Sequence, residues 1–150
     1  MEKKHLFVSY CHVDLNEVQQ LVADLEQAGL TVWWDKHIPL GADWQGAIRR
    51  AVREAFALVV CVSRNSELQY QHRSGIFPEL ADAIGRLREL NPAESFIFPV
   101  KLSQCELPYM EIDTTRTLDR LQHVELFPAE SRLAGISRLV DALKRTNEHP

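Results

Sequence analysis

Glu79 is the acidic residue whose position best suits chemistry, because it follows Pro78 at the start of a predicted helix. Proline fits the first turn of a helix, and the positive end of the helix dipole favours an ionised carboxyl group there. An ionised carboxylate can stabilise a developing positive charge, but it is a poor proton donor. On this pattern alone, the commoner explanation is an acid that simply favours the beginning of a helix.

Aromatic side chains form a second concentration of candidate residues. Trp33, Trp34 and Trp44 are the only tryptophans of the chain. Indole is costly to leave in water, so these rings are expected in the core or at a contact surface. Trp33 and Trp34 are consecutive in a predicted strand and should point in opposite directions. One is expected to face the packing layer and the other to reach a site or solvent.

Alternating strands and helices must position these residues. Strands are predicted at residues 6–10, 30–34, 57–62, 96–102 and, at a sheet edge, 123–127. Apolar residues at helical spacing predict helices at residues 14–28, 43–55, 78–91 and 133–143. Asp14 and Glu17 form a capping-box pattern, Gly29 ends the first helix, and residues 103–122 fit no single element. The alternation predicts an α/β fold, a flavodoxin-like doubly wound parallel sheet of about five strands with helices on both faces.

Ligands of such a sheet bind beyond the carboxyl ends of its strands. That rule selects four segments, which are residues 10–14, 35–43, 63–77 and the segment after Leu102. Tyr10 and His12 belong to the first of them. Tyr10 is a candidate ligand contact, although the commoner explanation is that it caps the core with its hydroxyl group hydrogen-bonded.

Length and composition predict one domain over residues 1–150, with 45% hydrophobic and 25% charged residues. The net charge of −4, without long runs of Lys or Arg, argues against nucleic acid as the main partner. No apolar run is long enough to span a membrane, and no signal-peptide pattern is found. A soluble, cytoplasmic protein is therefore expected, in which the three widely spaced cysteines fit reduced thiols.

Three other kinds of site do not fit the sequence. The six histidines and three cysteines lack the spacing of a metal site, so no metal is expected. A receiver domain should carry a phosphoacceptor aspartate after the third strand, where this chain has Ser63. A Rossmann or P-loop site needs glycines after the first strand, where residues 11–14 contain none.

Four segments occur in the order and spacing of one known family. Residues 7–14 read Phe-Val-Ser-Tyr-Cys-His-Val-Asp, and residues 33–44 carry Trp-Trp-Asp before a loop with Pro39 and Gly41. A third segment ends in Ser-Arg-Asn-Ser at residues 63–66, and residues 77–83 read Phe-Pro-Glu-Leu-Ala-Asp-Ala. Together they resemble the TIR (Toll/interleukin-1 receptor) domains, particularly the bacterial type, and residues 35–43 resemble the family's BB loop.

The resemblance implies that Glu79 is the catalytic glutamate with which many TIR domains cleave NAD⁺ between nicotinamide and ribose. NAD⁺ would then be the substrate, and no cofactor is implied. Glycoside hydrolysis usually needs two carboxyl groups because the leaving oxygen must be protonated, whereas the nicotinamide of NAD⁺ departs neutral. Glu79 would hold the ribose hydroxyls and stabilise the oxocarbenium charge, giving nicotinamide and ADP-ribose or a cyclic variant.

The same resemblance implies a set of substrate contacts drawn from several segments: Ser9, Tyr10, His12, Trp33, Trp34, Ile38 and Phe77. Many catalytic relatives carry a tryptophan or tyrosine four residues before the glutamate, where this chain has Gly75. Phe77 or Tyr70 is expected to supply that aromatic wall instead.

Self-association is also implied by the resemblance, because the BB loop of one TIR domain completes the site of its neighbour in a head-to-tail assembly. The predicted assembly loop comprises Asp35, Pro39, Gly41, Asp43 and Trp44. Asp43 could instead be a helix N-cap, and Trp44 a packing residue or subunit contact. The expected partners are NAD⁺, further copies of the chain and a sensor domain, separate or fused, in signalling such as immune defence.

Two alternatives to the enzyme remain open on the sequence. One is a non-catalytic TIR adaptor that signals by docking onto other TIR domains through the BB loop. The other is an N-glycosyl transferase, which would act on deoxynucleosides and leave NAD⁺ untouched.

Overall fold

The computed structural model describes residues 5–34, 40–41, 43–66, 85, 96–109, 111 and 115–148 of the chain. For five residues within these ranges only the backbone is described, namely His12, Trp44, Gln45, Asn147 and Glu148. The predicted helix at residues 78–91 lies outside the described ranges except for Gly85, which is helical.

The described residues form one parallel five-stranded sheet, with the strands in the order β2-β1-β3-β4-β5. The strands are β1 His5–Ser9, β2 Val32–Trp33, β3 Ala55–Val62, β4 Ile97–Lys101 and β5 Val124–Glu125. This topology confirms the predicted flavodoxin-like fold. The edge strands β2 and β5 are shorter than predicted, although Leu6 N–H also donates to Thr31 O beside β2, at 2.8 Å.

β3 occupies the centre of the sheet, and all eight of its residues are buried. Ala57, Val59 and Cys61 pack in one apolar cluster, whereas Leu58 and Val60 belong to a second cluster. Alternate residues of a strand point to opposite faces, so both faces of β3 are covered. A continuous apolar run is what a strand in this position requires, which is why the sequence predicted it well.

Three α-helices in the described ranges cover the two faces: α1 Leu15–Gln27, α2 Trp44–Glu54 and α3 Arg132–Glu148. Helices α1 and α3 contribute to the cluster that contains Val59, and α2 contributes to the cluster that contains Val60. The predicted doubly wound arrangement is therefore confirmed. No helix in the described part of the chain is long and apolar enough to cross a lipid bilayer.

The end of α1 follows the prediction closely. Gly29 has a φ of +95°, a left-handed conformation that glycine adopts without steric cost. Its N–H donates to Glu26 O at 3.0 Å, and Leu30 N–H donates to Leu25 O at 3.2 Å. These bonds satisfy carbonyl groups at the helix end and turn the chain toward β2.

The start of β3 was predicted two residues too late. Helix α2 ends at Glu54 and β3 begins at Ala55, which pairs with His5 of β1. Alanine has little intrinsic preference for strands, so only the tertiary pairing assigns Ala55 to β3. His5 also begins β1 one residue earlier than predicted, and its ring donates from Nε2 to Ala51 O of α2 at 2.7 Å.

Residues 103–122 remained unassigned on the sequence, and the structure shows why. Their described part contains an isolated antiparallel bridge between Glu111 and Thr117, followed by a short 3-10 turn at Leu118–Arg120. Leu118 is buried in the cluster on the α2 face. Cys105 is buried in the same cluster. A few buried side chains in irregular backbone leave no periodic pattern to read.

Helix α3 approaches β5 closely at Gly135. A Cβ atom at this position would lie 2.6 Å from Glu125 O and 2.9 Å from Leu126 Cδ2. Glycine therefore allows the helix backbone to rest almost directly on the edge strand.

Candidate functional site

The loops after β1 and β3 leave the sheet side by side at its carboxyl edge. From β1 the chain goes first to β2 on one side and then to β3 on the other, so the strand order reverses between β1 and β3. Ser9 at the end of β1 pairs with Val60 of β3. In open α/β sheets, ligands bind at this reversal, beyond the carboxyl ends of the strands. The candidate site is therefore built on residues 9–14 and 63–66.

Tyr10 and Trp34 come together at this edge. Their ring centroids are 5.9 Å apart, with the ring planes inclined by 47°. Both side chains are largely buried and belong to the cluster on the α1 face of the sheet, and Ser9 beside them is also buried. The expectation that Tyr10 packs against the core is confirmed, whereas a contact of either ring with substrate remains a prediction.

Trp33 lies on the opposite face of the sheet from Trp34. It stacks on Phe7, with ring centroids 5.0 Å apart and planes inclined by 17°, and His5 lies 6.5 Å away. The predicted alternation of the two indoles is thus confirmed. Because they lie on different faces, Trp33 does not share the surroundings of Tyr10 and Trp34.

A short 3-10 turn at His12–Asp14 joins β1 to α1. Asp14 N–H donates to Cys11 O at 2.8 Å and closes the turn. Val13 is half exposed, whereas Asp14 is only 1% exposed. His12 is placed at the carboxyl edge by its backbone.

The predicted capping box between Asp14 and Glu17 is wrong. Asp14 occupies the N-cap position of α1, but its side chain makes no capping hydrogen bond among the described residues. Its Oδ1 instead accepts a hydrogen bond of 2.6 Å from Ser63 Oγ, at the end of β3. The Asp14 carboxyl group therefore bonds a residue 49 positions away in the sequence, and not the start of α1 as the local pattern predicted.

A capping box does occur at the end of β3, within the Ser-Arg-Asn-Ser segment. Ser63 N–H donates to Ser66 Oγ at 2.8 Å, and Ser66 N–H donates to Ser63 Oγ at 3.0 Å. Reciprocal bonds of this kind define a helix start, and serine replaces the usual acid at the fourth position. The Ser-x-x-Ser spacing directly after an apolar strand is the signal by which this turn could have been found.

A third loop reaches the same turn. Arg64 N–H donates to Ser103 Oγ at 2.8 Å, and Ser103 follows β4. Leu102 N–H donates to Val62 O at 2.8 Å and continues the pairing of β3 and β4. The turn at residues 63–66 therefore contacts the loops that follow both neighbouring strands, β1 and β4.

Burial dominates the electrostatics of this edge. It raises the pKa of the Asp14 carboxyl group, and the hydrogen bond from Ser63 only partly opposes that effect. Asp14 Oδ2 has no hydrogen-bond partner among the described residues. Burial likewise raises the pKa of the Cys61 thiol, with smaller contributions from Asp14 and Cys11. Cys61 is therefore a neutral core thiol and an unsuitable nucleophile.

Part of the predicted assembly loop is described. Gly41 has a φ of +86°, and Leu40 beside it is fully exposed. Asp43 and Trp44 begin α2, as predicted, but within the described residues Asp43 makes no capping bond through its side chain. Its carboxyl group lies over Gly46 instead, where a Cβ atom would overlap Asp43 Oδ2.

Several predicted site residues lie outside the described ranges. They are Asp35, Ile38, Pro39, Tyr70, Phe77 and Glu79. Their roles remain predictions from the sequence. Among the described residues, no three His, Cys, Asp or Glu side chains are grouped so that they could hold a metal ion.

Comparison with solved structures shows the same fold in other proteins. The TIR domain of the Toll-related receptor TRR-2 from Hydra magnipapillata is 16% identical, with a TM-score of 0.68 over 93% of this chain and 97% of that chain. A TIR-STING receptor from C. gigas, solved with 2',3'-cGAMP, is 18% identical with a TM-score of 0.68 over 95% of this chain but 40% of that one. A prokaryotic SEFIR domain is 18% identical with a TM-score of 0.62, over 93% and 98% of the two chains.

Comparison with curated proteins finds no matching sequence. A family model described as TIR domain matches residues 6–140, which include the five described strands except for His5, together with α1, α2 and the first half of α3. The order of the four sequence segments, the strand topology and this match agree, and the chain belongs to the TIR domain family.

Proposed function

We propose that this TIR domain is an NAD⁺ nucleosidase, with Glu79 as its catalytic residue. The observation that carries the proposal is the glutamate of the Phe-Pro-Glu-Leu segment, which by resemblance corresponds to the catalytic glutamate of the family. The strand reversal between β1 and β3 supports it, because ligands of such sheets bind there. Ser9 and Tyr10 at the end of β1 belong to that edge.

The proposed reaction needs only one carboxylate. The bond between the anomeric carbon of ribose and the pyridinium nitrogen breaks, and its electron pair goes to the nitrogen, so nicotinamide leaves neutral. The carboxylate of Glu79 stabilises the positive charge that develops at the anomeric carbon. Water adds to that carbon and loses a proton, giving ADP-ribose. A hydroxyl or ring nitrogen of the ADP-ribosyl group in place of water would give a cyclic product.

Self-association is part of the proposal. Leu40 is a fully exposed apolar side chain beside Gly41, in the segment that resembles the BB loop. A contact with a second copy would remove that side chain from water. In this arrangement the loop of one copy completes the site of the next, and a separate or fused sensor unit supplies the trigger. The C. gigas TIR-STING receptor, in which the similar region is 40% of the chain, was solved in complex with 2',3'-cGAMP.

A TIR adaptor without catalysis is the second candidate. The same exposed Leu40 favours it, because a docking loop is all that an adaptor requires. The two candidates differ in whether NAD⁺ is consumed, and in whether Glu79 is needed for function.

The test measures NAD⁺ loss and nicotinamide release by chromatography, at high protein concentration with a crowding agent. The wild-type chain is compared with Glu79→Ala, and Glu26→Gln serves as the control because Glu26 is an exposed acid near the end of α1. We expect cleavage by the wild type and the control, and a loss of about 100-fold or more in Glu79→Ala.

Three results would contradict the proposal. Equal cleavage by Glu79→Ala would remove the assigned catalytic residue. NAD⁺ left intact by the wild type under assembling conditions would favour the adaptor. Cleavage of deoxynucleosides in the absence of NAD⁺ loss would identify the transferase instead.

A further inference from the structure

The buried Asp14 carboxyl group joins two loops of the candidate site. Asp14 lies in the loop after β1, and it accepts the 2.6 Å hydrogen bond from Ser63 in the turn after β3. Asp14, Ser63 and Ser66 are 1%, 4% and 0% exposed, so water hardly reaches this connection. The loop and the turn are therefore tied together by side chains at the place where the strand order reverses.

Burial of the Asp14 carboxyl group costs free energy of folding, which a role in stability alone does not explain. A buried carboxyl group loses its hydration, and the loss is offset only when its oxygens are hydrogen-bonded. Oδ2 of Asp14 has no such partner among the described residues. The group does not cap α1 either. The pKa of Asp14 is raised by burial, which is a further sign that its ionised form is poorly compensated.

We propose that Asp14 is a positioning residue, whose hydrogen bond with Ser63 holds the β1–α1 loop in register with the turn after β3. The inference rests on the proposed NAD⁺ cleavage. The loop carries Tyr10 and the backbone of His12, both at the carboxyl edge of the sheet. The contact with Ser63 would thus fix the placement of this loop against the turn after β3.

A second contact fixes the other side of the same turn. Arg64 N–H donates to Ser103 Oγ after β4, and the Ser63–Ser66 bonds keep the turn itself rigid. The Asp14–Ser63 bond adds a side-chain connection beyond the backbone pairing of Ser9 with Val60. It joins the two loops after the strands end, so it acts on their relative placement and not on the folding of the turn.

Loss of the contact should lower kcat with little effect on KM, because loop placement matters most when the reacting atoms are aligned. A displacement of about 1 Å can cost about 100-fold in rate, so we expect Asp14→Ala and Ser63→Ala each to lower kcat by about 10- to 100-fold. The double variant should be no slower than the slower single variant, since both changes remove the same bond.

Asp14→Asn provides the conservative replacement. Its amide oxygen can still accept the hydrogen bond from Ser63 Oγ. Its NH₂ group takes the place of Oδ2, so that two N–H donors are buried there. We expect kcat within about 3-fold of the wild type. In this variant kcat should therefore be kept while the unfolding free energy changes, which a purely structural role of Asp14 would not produce.

The experiment measures kcat, KM and the urea midpoint for wild type, Asp14→Ala, Asp14→Asn, Ser63→Ala and the double variant. Val52→Ala is the matched control, because Val52 is a fully buried side chain in the last turn of α2, near the amino edge of the sheet. It should lower the urea midpoint and leave kcat unchanged. If Asp14→Ala does not fold, kcat and KM of Ser63→Ala and Asp14→Asn are compared with those of the wild type instead.

The outcomes separate this inference from the proposed function. An inactive wild type under assembling conditions refutes the NAD⁺ nucleosidase and the positioning role with it. An active wild type, with kcat in Ser63→Ala and the Asp14 variants falling only as far as in Val52→Ala, refutes the positioning role alone. Additive losses in the double variant would also refute it, because the two side chains would then act independently.

Discussion

Replacement of Gly135 by alanine should destabilise the fold, although alanine favours helices more than glycine does. A Cβ atom at this position would lie 2.6 Å from the backbone oxygen of Glu125 in β5, and 2.9 Å from Leu126 Cδ2. A backbone oxygen in a paired strand cannot move aside as the end of a flexible side chain can. Helix α3 or strand β5 must therefore shift to admit the methyl group.

Gly85 is the matched control for this change. It is also helical, it is exposed, and a Cβ atom there meets no described atom within 4 Å. Alanine at Gly85 should stabilise the protein by about 1 kcal/mol through helix propensity. The same gain at Gly135 is opposed by overpacking, which costs about 1–3 kcal/mol. The difference between the two variants should therefore be about 1–3 kcal/mol, with Gly135→Ala the less stable.

Urea titration followed by far-UV circular dichroism gives the two unfolding free energies under the same conditions. In thermal unfolding, a difference of this size corresponds to roughly 2–4 °C for each kcal/mol in a chain of this length. Equal stabilisation by the two alanines would refute the close approach of α3 to β5.

Three further predictions concern the candidate site and its surroundings. Above pH 3.8 the unfolded chain releases the Asp14 proton while the folded chain retains it up to a higher pKa, so ionisation favours unfolding in that window. The wild type should therefore lose stability relative to Asp14→Asn as the pH rises from 3.8 until Asp14 ionises in the folded state. Urea titrations at several pH values measure this difference in unfolding free energy, and a difference that does not change with pH would contradict the raised pKa. Cys11, Cys61 and Cys105 are buried, so a thiol reagent should label none of them in the native protein and all three in urea, whereas rapid native labelling would contradict their burial. Leu40→Asp should weaken self-association in sedimentation velocity without lowering the melting temperature, because the side chain is fully exposed; unchanged association would remove this loop from the assembly.

The fold could be predicted from the sequence because its strongest signals are local. The continuous apolar run at residues 57–62 required a strand buried on both faces, and Gly29 marked where α1 ends. The alternation of strands and helices then left a parallel sheet as the natural arrangement. Errors arose where tertiary contacts override local preference, as at Ala55, which is a strand residue only because it pairs with His5.

The interior of the candidate site was harder to predict, because its contacts join distant parts of the chain. Asp14 and Glu17 have the spacing of a capping box, yet the Asp14 carboxyl group bonds Ser63. The bond from Arg64 to Ser103 likewise links residues that share no local pattern. Periodicity and capping motifs describe interactions within a few residues, so they cannot show which loops meet at the edge of a sheet.

The rate of nicotinamide release by the wild type, divided by that of Glu79→Gln, tests the central claim most directly. Glutamine preserves the size of the side chain and removes its negative charge, so the ratio reports the electrostatic role of the carboxylate. The proposed mechanism predicts a ratio of about 100 or more at equal concentrations of folded, assembled protein. A ratio near one would contradict it, and Glu79 would then be no more than an acid that favours the predicted helix start after Pro78.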